Sequence, residues 1–595
     1  MAITVSAIRP VAHLPLILGM LRKLEVATII DDFLPPHPDN VLSGGHGVEA
    51  LVLAILDGHH ALYKIGTRLE ERGMLSLLQG GLARESLNDY RLGQILDALF
   101  VANLNQVFGA IALKALAVYA IPTPWLHQDT TTIALYGAYN GPDEGSVSPR
   151  EETAEEPSQP LAPRPAHGHS KDGRPDLKQV LLSLGVSGDG GLPLRLGLRD
   201  GNTSDSTETP VALEECLVLG LEGIIGIVAD SKAYSQRTLG LCVEKRIGLV
   251  TRVPRTCAVR QELERWGQQQ AVLPVLLEKP GRTHQEGPRR WRGQSVMRCV
   301  DVEYTDGRPG QADIRFVVVH SSPLAQQEAK AYATAHAKEA ERVADHITRV
   351  EAKRFACVTD AEAAIADYEG RGPGRRGRRP QLWRSHVLRY HVEAFTYPQK
   401  RARRGRPPKD EAPLEAIGYR LRVEAAPMER AETDNGWTVL ATTIAVEVCS
   451  DAQIVDAYQE QHSTVEQGFR WIKNPAAIAP VWLEKPERIA ALAMLTVVGL
   501  LVYTLLQRQV RLYLQSQQQQ LPGNKGPTAA PTAAVVLSLF TQVMMIHIQV
   551  GNTEMFEVYG LQDHHGMVCD ALGVDRSWYG TLSTQQNSPM STTPP

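Results

Sequence analysis

Three acidic side chains stand where a carboxylate needs a reason to be. Asp129 sits inside "LHQDTTTIAL" (126–135), whose Leu126, Ile133 and Leu135 belong in a buried strand. An unpaired carboxylate there would cost several kcal/mol. Asp230 ends the apolar run "GIIGIVAD" (223–230), at the carboxyl edge where α/β sheets keep their sites. Glu466 lies in "DAQIVDAYQEQHSTVEQGFRWIKNP" (451–475), where Val465, Phe469 and Ile472 make an apolar stripe. Glu466, Arg470 and Lys473 follow one another there at steps of four and three, which puts them on a second face of a helix.

Taken singly, each has an ordinary explanation: a strand aspartate as a hydrogen-bond acceptor, a Glu-Arg-Lys face as solvated charge. Taken together they suit phosphodiester cleavage or transfer. Two hard cations about 3.5–4 Å apart bracket one phosphorus, activating the attacking oxygen and stabilising the leaving one. Magnesium takes carboxylate oxygens and keeps several waters, so carboxylates from three elements suffice. The expected cofactor is Mg²⁺ or Mn²⁺, two ions per site, on Asp129, Asp230 and Glu466.

The elements that must position these groups can be read from pattern. Residues 1–120 show apolar residues at three-and-four spacing and predict a helical domain. From 121 the texture changes. A strand carrying Asp129 is followed by a polar, Pro-rich loop. "LKQVLLSLGVS" and "GLPLRLGLRDGN" then meet at Gly-Asp-Gly-Gly, which is a hairpin signal. A helix, the strand ending on Asp230, another helix and "IGLVTRV" (247–253) complete a mixed α/β sheet over 121–253. Residues 254–445 read as a β-rich insertion with a charged helical piece near 325–370. Residues 446–514 return to the core with the Glu466 helix, and 515–595 read as linker, small C-terminal region and disordered tail.

The stretches "HQDTTTIALYGAY", "GHSKDGRPDLKQVLLSLGVSGDGGLPL", "DGNTSD", "IVADSKAYS" and "YQEQHSTVEQGFRWIKNP" give the chain its resemblance to bacterial DDE insertion-sequence transposases. It is similar to the IS-four superfamily, in the branch with a helical N-terminal domain and a β-rich insertion before the glutamate. The resemblance implies an RNase H-like (retroviral-integrase-like) core, with Asp129, Asp230 and Glu466 as the metal-binding triad. It implies binding of terminal inverted repeats, cutting by activated water, and attack of the freed 3′-hydroxyl on target DNA, with a homodimer in the DNA complex. In the family's tyrosine-arginine-glutamate-lysine signature, Lys473 matches the lysine. The arginine position holds His462, the tyrosine lies one residue early at Tyr458, and Arg470 is available to contact phosphate instead. Lys171, Arg174 and Lys178 precede the second strand and are candidates for phosphate contact, while Gly201 and Asn202 are expected to turn the chain back towards the site.

Composition adds a second DNA-facing feature. The whole chain has 62 Lys and Arg against 66 acids, a balance that excludes nothing, but residues 371–409 hold 13 Lys or Arg against the single acid Glu393, a local net of 13 − 1 = +12. Such density attracts a phosphate backbone. Arg404-Gly405-Arg406-Pro407 resembles the core of an AT-hook, an arm for A·T-rich minor grooves. The seven cysteines are scattered without a CxxC pair, which indicates neither a disulfide framework nor a thiolate zinc site. Together with the absence of a leader pattern this favours the bacterial cytoplasm, at the nucleoid. Ile489–Leu506 is an 18-residue apolar run, read as a helix buried inside a large protein rather than a membrane span. The alternatives are an RNase H-like DNA nuclease and a non-catalytic DNA-binding derivative.

Overall fold

The hairpin signal at 177–202 marks one end of a sheet. Its first strand is β1 (Trp125–Leu135), followed by β2 (Lys178–Ser187), β3 (Pro193–Arg199), α1 (Asp205–Val218), β4 (Gly226–Ala229), α2 (Gln236–Lys245) and β5 (Leu249–Arg252). After the insertion come β6 (Trp437–Thr442), α3 (Asp451–Ile472) and α4 (Pro486–Gln517). The structure is a computed structural model and describes residues 3–37, 40–58, 61–78, 82–137, 139, 161–218, 220–221, 223–281, 286–368, 388–399, 416–427, 435–473, 483–550 and 553–579. The chain divides into two units: Met1–Pro254, Val296–Phe316 and Leu440–Pro595 form one, Arg255–Ser295 and Val317–Val439 the other.

In the first unit the core strands lie in the order β3-β2-β1-β4-β5-β6. β1 and β2 are antiparallel, Leu126 opposite Ser187 and Leu135 opposite Lys178. β1 and β4 are parallel, Trp125 beside Gly226 and Gln128 beside Ala229, and β4 and β5 are parallel too. This mixed α/β sheet is consistent with the expected RNase H-like core. The strands are apolar because both faces are covered; β2 is buried at every residue but its first.

A buried charge network clamps α1 onto the hairpin. Arg195 of β3, 3% exposed, pairs with Glu208 at 2.8 Å, itself 1% exposed, and Arg199 holds Glu208 at 2.7 Å and Glu215 at 2.8 Å. Arg195 also donates to Ser183 Oγ at 2.7 Å. With each charge neutralised, burial is tolerated, but either partner alone would be costly.

Two features depart from the sequence-based expectations. β6 was assigned to the insertion, yet Leu440 pairs with Arg252 and Thr442 with Val250, extending the core sheet. The N-terminal region is not wholly helical. Ile3–Arg9 is a strand that pairs antiparallel with Met544–Val550, which in turn pairs with Thr553–Tyr559. The C-terminal region is therefore part of the first unit: Tyr579 is buried and its hydroxyl donates to the Ala12 carbonyl at 3.0 Å. Residues 518–532, expected as a linker or loop, form a loop in which Leu521 pairs with Thr528.

The apolar run at 489–506 lies in α4. Its most apolar window is long enough to span a bilayer, but 89% of that window is buried inside the protein. The helices Gly44–Leu56, Asp89–Val101 and Leu104–Tyr119 pack on it, and Arg488 fixes the first turn by pairing with both oxygens of Asp97 at 2.7 Å.

The second unit has its own core. Leu388–Gln399 and Ala416–Pro427 form an antiparallel ribbon whose Val392, Leu421 and Val423 pack on Val343, Val350 and Ala361 of the helices Ser322–Glu351 and Val358–Tyr368. On the ribbon, Arg420 lies over the Tyr397 ring at 4.6 Å and Arg422 over Phe395 at 5.4 Å. Arg404, Arg406 and most of the basic segment 371–409 lie outside the described residues.

Candidate active site

Parallel pairing of β1 with β4 runs through Gln128 and Ala229, so Asp129 and Asp230 stand side by side one step further along. Neighbouring strands are about 4.8 Å apart, a spacing that lets two carboxylates share one cation or bracket two. Asp129 is half-buried on β1 and accepts the Thr130 backbone N–H at 2.7 Å. Asp230 is anchored twice. Its carboxylate accepts from the Lys232 backbone N–H at 3.0 Å, and its carbonyl accepts from the Thr251 hydroxyl at 2.6 Å.

Burial pushes the Asp129 carboxyl up to about 6; Lys171 and the Thr130 N–H oppose the rise, while the charges of Asp230 and Asp205 add to it. Asp205, the first residue of α1, was missed in the sequence although it ends the quoted stretch "DGNTSD". Its carboxylate accepts the Thr130 hydroxyl, pairs with Lys171 Nζ at 3.3 Å, and pairs with Lys232 Nζ. Burial alone would raise the Asp205 carboxyl, but the hydrogen bonds from Lys232 and Thr130 outweigh it and hold the group below its ordinary range.

The threonines after Asp129 are therefore more than strand formers. Side chains alternate along a strand. Gln128, Thr130 and Thr132 share the face that α1 and the loop at 170–172 address. The Thr132 hydroxyl accepts the Lys171 N–H at 3.3 Å, and Lys171 Nζ donates to the Thr130 carbonyl at 2.7 Å. Gly201 makes the expected turn by close approach. A Cβ there would fall 1.9 Å from the Gln179 carbonyl oxygen, which leaves room for no side chain.

α3 lies on the other face of β1. A Cβ on Gly188 would meet His127 Nε2 at 3.4 Å and Glu460 Oε2 at 3.6 Å, which places residue 460 beside His127. At the far end of α3, Lys473 pairs with Asp172, next to Lys171. The expected apolar stripe is present, with Val465, Phe469 and Ile472 buried. Glu466 itself, however, is 51% exposed and lies 4.0 Å from Arg470. Among the described residues no three acidic, His or Cys side chains are gathered closely enough to hold an ion. The structure brings Asp129 and Asp230 together and leaves Glu466 on the outside of its helix.

The other predicted contacts scatter. Lys171 is committed to Thr130 and Asp205. Arg174 is exposed and doubly hydrogen-bonded to Asp176, and Lys178 donates to the Tyr139 carbonyl. Tyr458, 6% exposed, is a core residue, and the His462 side chain lies outside what the structure describes.

A mixed sheet with two aspartates on adjacent strands, just past the end of their parallel pairing, defines the class: an α/β protein with an acidic pair beside its sheet. Comparison with known families sharpens this. Residues 153–505 match the model described as "Transposase DDE domain", more than half of the chain, and the chain belongs to that family. The match includes Asp230 and Glu466 and begins beyond β1. Residues 6–113 match "Domain of unknown function (DUF4277)". No curated protein matches the chain. Among solved structures, "Cryo-EM structure of piggyBac transposase synaptic complex with hairpin DNA" is similar over 50% of this chain at 11% identity and a TM-score of 0.22; the chain spans 60% of that structure's length.

DDE transposases use divalent metal ions, and the residues at this edge fit one. They offer hard oxygen donors, and Asp129 is a carboxylate strained by burial and by two like charges, which a bound cation would relieve.

Proposed function

We propose that the chain is a DDE transposase that binds the terminal inverted repeats of an insertion sequence and cleaves and joins DNA strands at the edge formed by β1 and β4. The observation that carries this is the adjacency of Asp129 and Asp230 just past the point where the parallel pairing of β1 with β4 stops. In this proposal Asp129 and Asp230 hold divalent ions between them, and Glu466 turns inward to complete the second position once DNA is bound. Such a pair of ions supplies activation of the attacking oxygen and stabilisation of the leaving one.

The protein's own contribution is orientation. The Lys232 N–H and the Thr251 hydroxyl set Asp230, and the Thr130 N–H sets Asp129. Arg470, freed from Glu466, and Lys473 face the phosphates flanking the scissile bond. The basic segment around Arg404 and Arg406 contributes affinity for duplex DNA away from the chemistry. Two protomers bring two ends together.

The test is cleavage of a labelled duplex carrying the element's own terminal repeat in Mg²⁺ or Mn²⁺, comparing native protein with Asp230→Asn. Nicking at the repeat end by the native protein alone supports the proposal. Tight binding of the repeat without any cut in either metal leaves a DNA-binding protein and removes the catalytic assignment.

A further inference from the structure

The proposed metal edge carries two lysines as well as its two aspartates. Lys171 and Lys232 both act electrostatically at this edge: Lys171 on Asp129, and Lys232 on Asp230 and Asp129. An ammonium that close is a competitor, since it satisfies the same carboxylate oxygens a divalent ion would take. Yet neither lysine pairs directly with Asp129 or Asp230. Both ammonium groups are drawn to Asp205, whose side chain is only 11% exposed: Lys232 reaches Oδ2 and Lys171 reaches Oδ1 at 3.3 Å. Asp205 is fixed in turn. It accepts the Thr130 hydroxyl and begins α1, which the Arg195–Glu208–Arg199–Glu215 network clamps to the sheet.

We infer that Asp205 is a positioning residue that keeps Lys171 and Lys232 off the Asp129–Asp230 pair, so that those two carboxylates stay open to a divalent cation. This rests on the proposal that Asp129 and Asp230 bind metal. Removing the charge of Asp205 releases the Lys232 ammonium, which sits on a flexible stem, to turn onto Asp230. Metal affinity then falls although neither ligand has been touched. The size of the loss is that of other groups that orient metal ligands from behind, about 10-fold.

The experiment is Mn²⁺ binding to the full chain, read as the loss of the free-ion signal in electron paramagnetic resonance, with no DNA and no activity measured. Native protein, Asp129→Asn, Asp205→Asn, Lys232→Met and the Asp205→Asn/Lys232→Met double variant are compared, and thermal melting checks that each is folded. Asp205→Asn is expected to bind about 10-fold more weakly, and adding Lys232→Met is expected to restore native binding. Lys232→Met alone is expected to bind at least as tightly as native protein, which holds whether or not Asp205→Asn folds.

Native-like binding by Asp205→Asn, a double variant no better than Asp205→Asn, or weakened binding by Lys232→Met would each overturn the inference. Native protein whose Mn²⁺ binding does not depend on Asp129 would remove both this inference and the metal assignment beneath it. Binding that depends on Asp129 but ignores Asp205 and Lys232 would remove this inference alone.

Discussion

Asp129 within β1 and Asp230 just past β4 are held by their neighbours: Asp129 takes the Thr130 N–H, Asp230 takes the Lys232 N–H, and its carbonyl takes the Thr251 hydroxyl. On α3 the arrangement is different. Glu466 has buried residues behind it at 465, 469 and 472, but its own side chain is half in solvent beside Arg470. The aspartates are fixed by hydrogen bonds to their own carboxylate and carbonyl groups, whereas a helix fixes only the face it buries. Under the proposed function this difference becomes a division of labour, in which the aspartates form a standing ion site and the glutamate joins it on DNA binding.

The strongest way to break this comparison is to substitute its two sides separately. Asp129→Asn is expected to abolish Mn²⁺ binding and to lower strand cleavage by on the order of 10³-fold, the scale of losing a charge-stabilising group at a reacting centre. Glu466→Gln is expected to stop cleavage as well while leaving one ion bound. Equal ion stoichiometry in the two variants, measured by titration, would erase the distinction.

Next in size is the scaffold beneath the aspartates. Arg195→Met removes the more deeply buried of the two arginines that neutralise Glu208, and urea unfolding is expected to show a loss of about 3 kcal/mol. A loss below 1 kcal/mol would mean that α1 is not held by this network.

The adjacency of the two aspartates was legible in the sequence, and their surroundings only in part. Asp129 was legible because it interrupts an apolar strand and Asp230 because it ends one, and the hairpin at 177–202 announced itself through Gly-Asp-Gly-Gly. The stripe at 465, 469 and 472 fixed the buried face of α3, and with it the exposed face of Glu466. Asp205 was not legible as a partner of Lys171 and Lys232. Its contacts lie 27 residues from Lys232 and 75 from Thr130, and no local spacing encodes them. The pairing of Ile3–Arg9 with Met544–Val550 has the same cause on a larger scale, since each strand is short and finds its partner only in the folded chain. Tyr458 looked like a contact residue by its place in a motif, but its position on the helix turned it into the core.

A smaller effect follows from the raised carboxyl of Asp129. Its folded value of about 6 lies above the ordinary 3.8, so the native state holds the proton more tightly than the unfolded chain. The stability this group contributes is present when it is protonated and is lost as pH rises through about 6. Asp129→Asn is therefore expected to melt at a higher temperature than native protein at pH 8, with the gap closing towards pH 4. A gap independent of pH would contradict burial as the cause. The smallest effect belongs to the insertion. Removing Arg404 and Arg406 together is expected to reduce the salt dependence of duplex binding by about two phosphate contacts while ion binding at the core stays unchanged.

The central claim is tested most directly by anomalous scattering from Mn²⁺ in crystals of the protein bound to its terminal repeat. The account predicts two peaks about 4 Å apart or closer, both against Asp129 or Asp230 and one of them also against Glu466. A single ion away from β1 and β4, or a pair of ions with Glu466 still turned outward beside Arg470, would contradict it.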